Sequence, residues 1–309
     1  MKVGSLFTGY GGLDTAVGGE LAWYAEIDKA ACEVLAYRYP GVPNLGDITK
    51  IDWTQVEPVD VLTGGYPCQP FSHAGLRKGK NDDRHLWPYV RDAIDTLRPE
   101  YAVLENVSGH LTLGFANVLS DLATIGFDAE WGTFRASDVG APHQRKRLFI
   151  IAYPDSARRG EHGRSVTIQQ EFVATQHDSD TTPDTDSDGY GGGLHAGAVA
   201  GMEREATGST QQRKRTWGES NPGSDWGKYT PVIRQWELVL KRTVPAPTIP
   251  HKDRQRLNPV FVEWMMGLDE GHVTGHGLSS AQELKMLGNG VVPQQARAAV
   301  AQLMERIPA

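Results

Sequence analysis

Cysteine is scarce: Cys32 and Cys68 are the only two in 309 residues. That excludes a disulfide scaffold and a multi-cysteine zinc site. It also points to a reducing, cytoplasmic setting. No run approaches the roughly 20 apolar residues of a membrane span. Glycines at 4, 9, 11 and 12 come too early for the apolar core of a signal peptide. A basic surplus is missing too. The net charge of −7 excludes a uniformly basic nucleic-acid binder but leaves local patches open. What is present is a hydrophobic fraction of 39%, enough for a packed core and against global disorder.

Residues 1–152 alternate between two patterns. Strand-like runs fall at 3–7, 21–27, 59–65, 101–105 and 147–153, and helical spacing at 13–18, 29–39, 89–97 and 117–126. The alternation predicts an α/β fold with a mostly parallel sheet covered on both faces. Ligands of such sheets bind beyond the carboxyl ends of the strands. From 154 to 225 the sequence is polar and rich in Gly, Ser, Thr and Asp, with five aspartates and no Lys or Arg between 177 and 188. Without a sustained period it reads as an insertion, disordered over 177–201. Order returns near Trp226. Residues 232–242 have amphipathic helical spacing, 244–250 read as a proline-spaced extended linker, 257–268 are apolar, and 292–307 form a helix with Pro293 in its first turn.

The chemistry-bearing residues follow the strands. Phe7-Thr8-Gly9-Tyr10-Gly11-Gly12 lies between a strand and a helix, where glycines let the backbone approach a ligand. Glu26, at the end of the next strand, is placed for ribose hydroxyls. The pair suggests an adenosine-containing cofactor, without distinguishing a nicotinamide dinucleotide from S-adenosyl-L-methionine. Cys68 follows the third strand, held between Pro67 and Pro70 on a stiff turn. As a nucleophile it needs nearby positive charge. Glu105 ends another strand and can protonate or hydrogen-bond a substrate nitrogen. Arg145-Lys146-Arg147 precede the last strand of this half and can reach phosphate or a base edge. Cys32, within a helical pattern, is assigned no role, and His272 and His276 lack an accompanying acidic ligand set.

Taken in order, these segments resemble the cytosine-5 DNA methyltransferase family of prokaryotic or phage type. The resemblance rests on Phe7 to Gly12, Glu26 with Asp28, Gly46-Asp47-Ile48, Pro67-Cys68-Gln69-Pro70-Phe71-Ser72, Glu105-Asn106-Val107 and Arg145-Lys146-Arg147. It continues through Arg256-Leu257-Asn258-Pro259 and Gly288-Asn289-Gly290-Val291-Val292-Pro293. It spans residues 5–293 and leaves only 154–255 unmatched. One position departs from it: His143 stands where the family usually has glutamine.

The resemblance implies a Rossmann-like, S-adenosylmethionine-dependent methyltransferase fold with a smaller target-recognition domain. Residues 1–153 with 275–309 would form the catalytic part and 154–274 the recognition part. It implies methyl transfer from S-adenosyl-L-methionine to carbon 5 of a cytosine flipped out of double-stranded DNA, through a covalent Cys68 adduct. Glu105 would hold ring nitrogen 3 and Arg145 the ring carbonyl oxygen, with Arg147 beside them. The cofactor would meet Phe7, Gly9, Gly11, Gly12, Leu13, Glu26, Ile27, Asp47, Ile48, Pro67, Leu86, Asn289 and Val291, with Asp47 reading the adenine amino group. DNA would meet Gln69 and Ser72, together with Arg77, Lys78 and Lys80 on a loop at 72–83 that closes over the flipped base. Further cations at 158–159, 204, 213–215 and 234–256 would flank the DNA cleft. The resemblance also implies a monomer acting in the cytoplasm of a bacterial cell or a phage-infected host, and it admits a cognate restriction endonuclease as a second partner. The same motifs are compatible with a tRNA cytosine methyltransferase, although the long segment 154–255 favours DNA, and with an inactive DNA-binding homologue, which the intact Cys68, Glu105 and Arg145 disfavour. An oxidoreductase using Cys68 would explain the first turn but neither Glu105-Asn106-Val107 nor residues 288–293.

Overall fold

Successive side chains project to opposite faces of a strand, so residues two apart share a face, and this period organises the molecule. The computed structural model describes residues 1–67, 86–155, 226–252 and 254–308. Its central sheet contains β1 (Lys2–Leu6), β2 (Glu20–Ala25), β3 (Val61–Gly64), β4 (Tyr101–Val107), β5 (Phe127–Phe134) and β6 (Arg147–Pro154), in the spatial order β2-β1-β3-β4-β6-β5. Helices α1 (Gly12–Val17), α2 (Lys29–Arg38), α3 (Trp87–Leu97) and α4 (Phe115–Thr124) belong to the first half. They are joined by α5 (Thr230–Leu240), α6 (Pro259–Met265), α7 (Ser280–Asn289) and α8 (Pro293–Met304).

On one face Leu6, Leu62, Leu104, Leu148 and Ile150 meet α3 and α4 through Val90, Ile94, Val118 and Leu122. On the other, Val3, Val61, Val103, Phe149 and Ile151 meet α1 and α8 through Leu13, Val17, Ala299 and Leu303. Both faces are thereby removed from water, as the near-continuous apolar strands require. No helix among the described residues is long and apolar enough to cross a membrane.

Strands β2, β1, β3 and β4 are mutually parallel, whereas β6 runs antiparallel to both β4 and β5. The mostly parallel sheet is therefore as expected, with one reversed strand. Strand β5 has no counterpart in the sequence reading. Its residues FDAEWGTF lack regular alternation, and it lies at the sheet edge with mostly half-buried positions. The proline-spaced run is not wholly a linker, because Thr248–His251 (β7) pairs with Arg254–Leu257 (β8) as a two-stranded sheet.

The described residues between 226 and 274 do not form a core of their own. Trp236, Phe261, Trp264 and Val273 share one apolar cluster with Tyr10, Ala30 and Val34 of the first half and with Met286 and Leu287 of α7. Glu263, on α6 and 1% exposed, organises the loop that follows. Its carboxylate accepts from the backbone N–H groups of Gly271 (3.0 Å), Val273 (2.6 Å) and Thr274 (2.9 Å) and from the Thr274 hydroxyl (2.9 Å). Four donors converge there and only an acceptor suits them. Glu263→Gln turns part of that acceptor into a donor facing donors. It is expected to lower stability by about 2–4 kcal/mol in chemical denaturation; a loss below about 0.5 kcal/mol would contradict this role.

Candidate active site

The turn after β1 is built on left-handed backbone at Phe7 (φ 53°), Gly9 (φ 58°) and Gly11 (φ 80°). Holding a phenylalanine there is costly, and such strain persists only where surroundings impose it. Tyr10 supplies much of that imposition. Its ring is fully buried, its hydroxyl donates to the Val291 carbonyl (2.7 Å), and its own carbonyl accepts from His272 Nε2 (2.8 Å). The fit leaves no room for side chains around it. A Cβ on Gly12 would stand 2.5 Å from the Val291 oxygen and 2.6 Å from the Tyr10 ring, and one on Gly290 would overlap that ring.

Beside this turn lies a cavity of about 410 Å³, within the roughly 300–1,000 Å³ of small-molecule sites. Phe7, Gly9, Gly12, Leu13, Glu26, Asn289 and Val291 line it, as the sequence leads one to expect. Glu26 is fixed against the turn: one carboxylate oxygen accepts from Gly9 N–H (2.8 Å), the other from Ile27 (2.8 Å) and Asp28 (2.7 Å) N–H. Ile27 stands 69% exposed next to it, an apolar surface free for a planar ring. A Cβ on Gly9 would meet nothing within 4 Å, so the floor is open where a ligand would lie. Cavity size, open floor, carboxylate and exposed apolar platform together fit an adenosine-bearing cofactor.

Other expected cofactor residues are placed elsewhere. Gly11 shapes the turn without lining the cavity. Asp47 spends its carboxylate on Thr49, from its N–H (3.1 Å) and hydroxyl (2.8 Å), and on Lys50 (3.1 Å). Ile48 is buried in the core. Neither lines the cavity. Pro67 and Leu86 border a second hollow of about 570 Å³ with Trp87 and His110. Conversely, the cavity wall contains Ser5, Asp14 and Thr63, which the sequence reading passed over. The available signal was Asp14 standing within the buried stripe of Leu13, Ala16 and Val17.

Strand reversal completes the rim. Because β6 is antiparallel to β4, Val107 pairs with Arg147, and the start of β6 meets the end of β4. Glu105, 8% exposed, receives Arg147 Nε at 3.0 Å. Burial pushes the Glu105 carboxyl above its usual range, while Arg147 and Arg145 pull the other way. Asn106 donates to the Tyr66 carbonyl (3.1 Å), pinning the backbone two residues before Cys68. Cys68 itself, Gln69, Ser72, Arg77, Lys78, Lys80 and the whole loop 72–83 lie outside the described residues, as do 177–201 and the cations at 158–159, 204 and 213–215.

Arg145 departs from its expected placement at a ring carbonyl. Its backbone is left-handed (φ 37°), and its guanidinium donates to the carbonyls of Gly288 (2.9 Å) and Gly290. Burial and neighbouring Arg147 lower its pKa to about 10. The reason is geometric: successive odd-numbered residues at a strand entry need not share a direction when the first has left the extended conformation. Only Arg147 turns toward Glu105. His143, the departure from the family pattern, donates Nε2–H to the Met265 carbonyl (2.9 Å). It therefore still presents a donor, as a glutamine amide would. His276 likewise bonds a backbone carbonyl, that of Gly271.

A family model for C-5 cytosine-specific DNA methylases matches residues 1–305. The chain is 36% identical over 138 residues to the Type II methyltransferase M.NlaIV of Neisseria lactamica, covering 41% of this chain and 33% of that protein. It is 33% identical over 174 residues to the orphan methyltransferase M.SPRI of Bacillus phage SPR, covering 52% and 39%. The chain thus spans about a third to two fifths of the length of these curated relatives. Among solved structures, the Dnmt2 methyltransferase of S. pombe superposes with a TM-score of 0.60 at 14% identity, over 99% of both chains. The methyltransferase EhMeth of Entamoeba histolytica gives 0.58 at 17%, over 100% of this chain and 99% of that one. These two likenesses bear on the fold.

Burial pushes His143 and His272 down to about 4, so both are neutral when folded. Unfolded, each binds a proton below about pH 6.5. Their stabilisation is therefore complete above about pH 6.5 and lost as pH falls toward 4, by up to about 1.4 kcal/mol per unit for each. His143→Gln should flatten the stability–pH curve by one histidine's share over that window. Parallel curves for the two proteins would refute a buried neutral His143.

Proposed function

The chain belongs to the C-5 cytosine-specific DNA methylase family, and from that premise we propose that it methylates carbon 5 of a cytosine flipped out of double-stranded DNA. The observation that carries this is the rim: the Glu105–Arg147 ion pair, the end of β3 that leads to Cys68, and the glycine-walled cavity all converge there. S-adenosyl-L-methionine, when bound, supplies an electrophilic methyl group held on a sulfonium. Phe7, Glu26 and Ile27 would hold its adenosine end, and Asn289 with Val291 would close over it.

The protein's own residues address the opposite difficulty, that carbon 5 of an aromatic cytosine is a poor nucleophile. The Cys68 thiolate adds to carbon 6 and raises electron density at carbon 5; carbon 5 then takes the methyl group, and loss of its proton expels Cys68 and restores the ring, dividing one hard step into easier ones. As Cys68 adds, negative charge gathers on the ring nitrogen 3 side. Glu105, with its raised affinity for a proton, is suited to donate a hydrogen bond or a proton there. Arg147 holds Glu105 in place and offers its remaining N–H groups to the ring carbonyl oxygen. In this reading Arg145 is a positioning residue, because its guanidinium holds the carbonyls of Gly288 and Gly290. A stacked duplex hides these ring atoms, so the base must leave the stack. Recognition of the sequence around it falls to residues within 154–274. Relatives named as Type II and as orphan methyltransferases both occur, so a companion endonuclease belongs to one branch of this reading.

Expression of the wild-type chain and Cys68→Ala in cells lacking cytosine methylation, followed by genome-wide mapping of 5-methylcytosine, tests the function. Modification at one short sequence in the wild type alone is expected. None from a folded, cofactor-binding protein would refute the DNA substrate. The two arginines should separate kinetically. Arg147→Lys is expected to lower kcat about 100-fold or more with little change in the cofactor KM. Arg145→Lys is expected mainly to raise the cofactor KM. The reverse pattern would restore Arg145 to the substrate.

A further inference from the structure

Four carboxylates line the cavity: Asp14, Glu26, Asp28 and Glu105. Two of them pair with a cation, and a third, Glu26, is only half-buried. Asp28 pairs with Lys285 (2.8 Å) and caps α2 through the N–H groups of Ala30 and Ala31. Glu105 pairs with Arg147. Glu26 accepts three backbone N–H groups. Asp14 is different. It is 8% exposed, and its carboxylate accepts from the Ser5 hydroxyl (3.0 Å) and the Thr63 hydroxyl, both neutral. Among the described residues no cation pairs with it. A buried carboxylate without a counter-charge is costly, and this one belongs to the wall of the cavity.

We infer that Asp14 is the group by which this cavity distinguishes the charged methyl donor from its neutral demethylated product. The inference rests on the methyltransferase reading above and deepens it. In the transfer the bond between the methyl carbon and sulfur breaks and its electron pair stays on sulfur, so a sulfonium cation becomes an uncharged thioether. A cation in the cavity answers the Asp14 charge; the thioether leaves it unanswered. Binding thereby weakens once the methyl group has gone, which favours exchange of product for fresh donor. Ser5 and Thr63 suit this task, because hydroxyls can rotate to donate to the carboxylate or accept from its protonated form. Burial already shifts Asp14 toward holding its proton, which a cationic ligand would oppose.

The experiment is calorimetric titration of wild type and Asp14→Asn, without DNA, with three probes. S-adenosylmethionine carries the sulfonium, sinefungin an amine in its place, and S-adenosylhomocysteine a neutral thioether; all share the α-amino acid. Asp14→Asn is expected to weaken the two cationic probes at least about tenfold and S-adenosylhomocysteine less than twofold. Equal loss for all three would overturn the inference, by making Asp14 structural or a partner of the shared ammonium. No loss for any would also overturn it. Should Asp14→Asn fail to fold, Thr63→Val removes a donor that favours the ionised form; its donor-to-product affinity ratio must fall, and an unchanged ratio refutes the role. If wild type binds none of the three, the cofactor reading itself fails and takes the inference with it. If wild type binds all three and methylates no DNA, the substrate reading fails while the affinity ratio still decides the role of Asp14.

Discussion

Everything at the rim depends on one strand running the wrong way. Chemistry in an open α/β sheet gathers at the carboxyl ends of parallel strands, and β1 to β4 deliver Phe7, Glu26, Gly65 and Glu105 there. A fifth contributor arriving in the same direction would leave its N-terminal residues on the far edge. Because β6 enters between β4 and β5 antiparallel to both, its first residue reaches the site. Arg147 then meets Glu105 inside a buried environment, where a lone carboxylate or guanidinium would be costly and a pair is tolerable. The ion pair is thus a product of topology before it is a product of side-chain choice.

A second constraint closes the other wall. Tyr10 fills the space between the first turn and residues 288–291, and glycine at 12 and 290 is what allows it to do so. Arg145 holds the same segment from the opposite side through the Gly288 and Gly290 carbonyls. His272 reaches the Tyr10 carbonyl from a loop that Glu263 organises. Three stretches remote in sequence are thereby locked to one aromatic ring, and the strained φ of Phe7 is held within that lock.

The parts of this arrangement that were legible in the sequence are those with a local signature. A glycine-rich turn after an apolar run, a carboxylate ending the next strand, and Glu105 ending another follow from patterns within a few residues. The cavity lined by Phe7, Gly12, Glu26 and Asn289 agrees with them. Elements that take their form from neighbours were not legible. Strand β5 shows no period because it is an edge strand with two half-wet faces. Strand β7 hides among prolines because its ladder partner, not its own propensity, makes it a strand. Arg145 and Arg147 look equivalent in a basic triplet, and only the left-handed backbone at the first separates them. Asp47 and Ile48 matched a motif, yet a local turn claims the one and the core the other. Asp14 is a single aspartate in a short helix until Ser5 and Thr63 are placed beside it.

The bond from Tyr10 to Val291 joins residues 281 apart, and this sets an order of events during synthesis. Ribosomes add about 5–20 residues per second, so the second wall of the cavity follows the first by roughly 14 to 56 seconds. Through that interval the nascent chain holds Tyr10 and the first turn without the partner segment that buries the Tyr10 ring. An interrupted translation product ending before residue 288 would hold the first turn without the segment that walls the other side of the cavity.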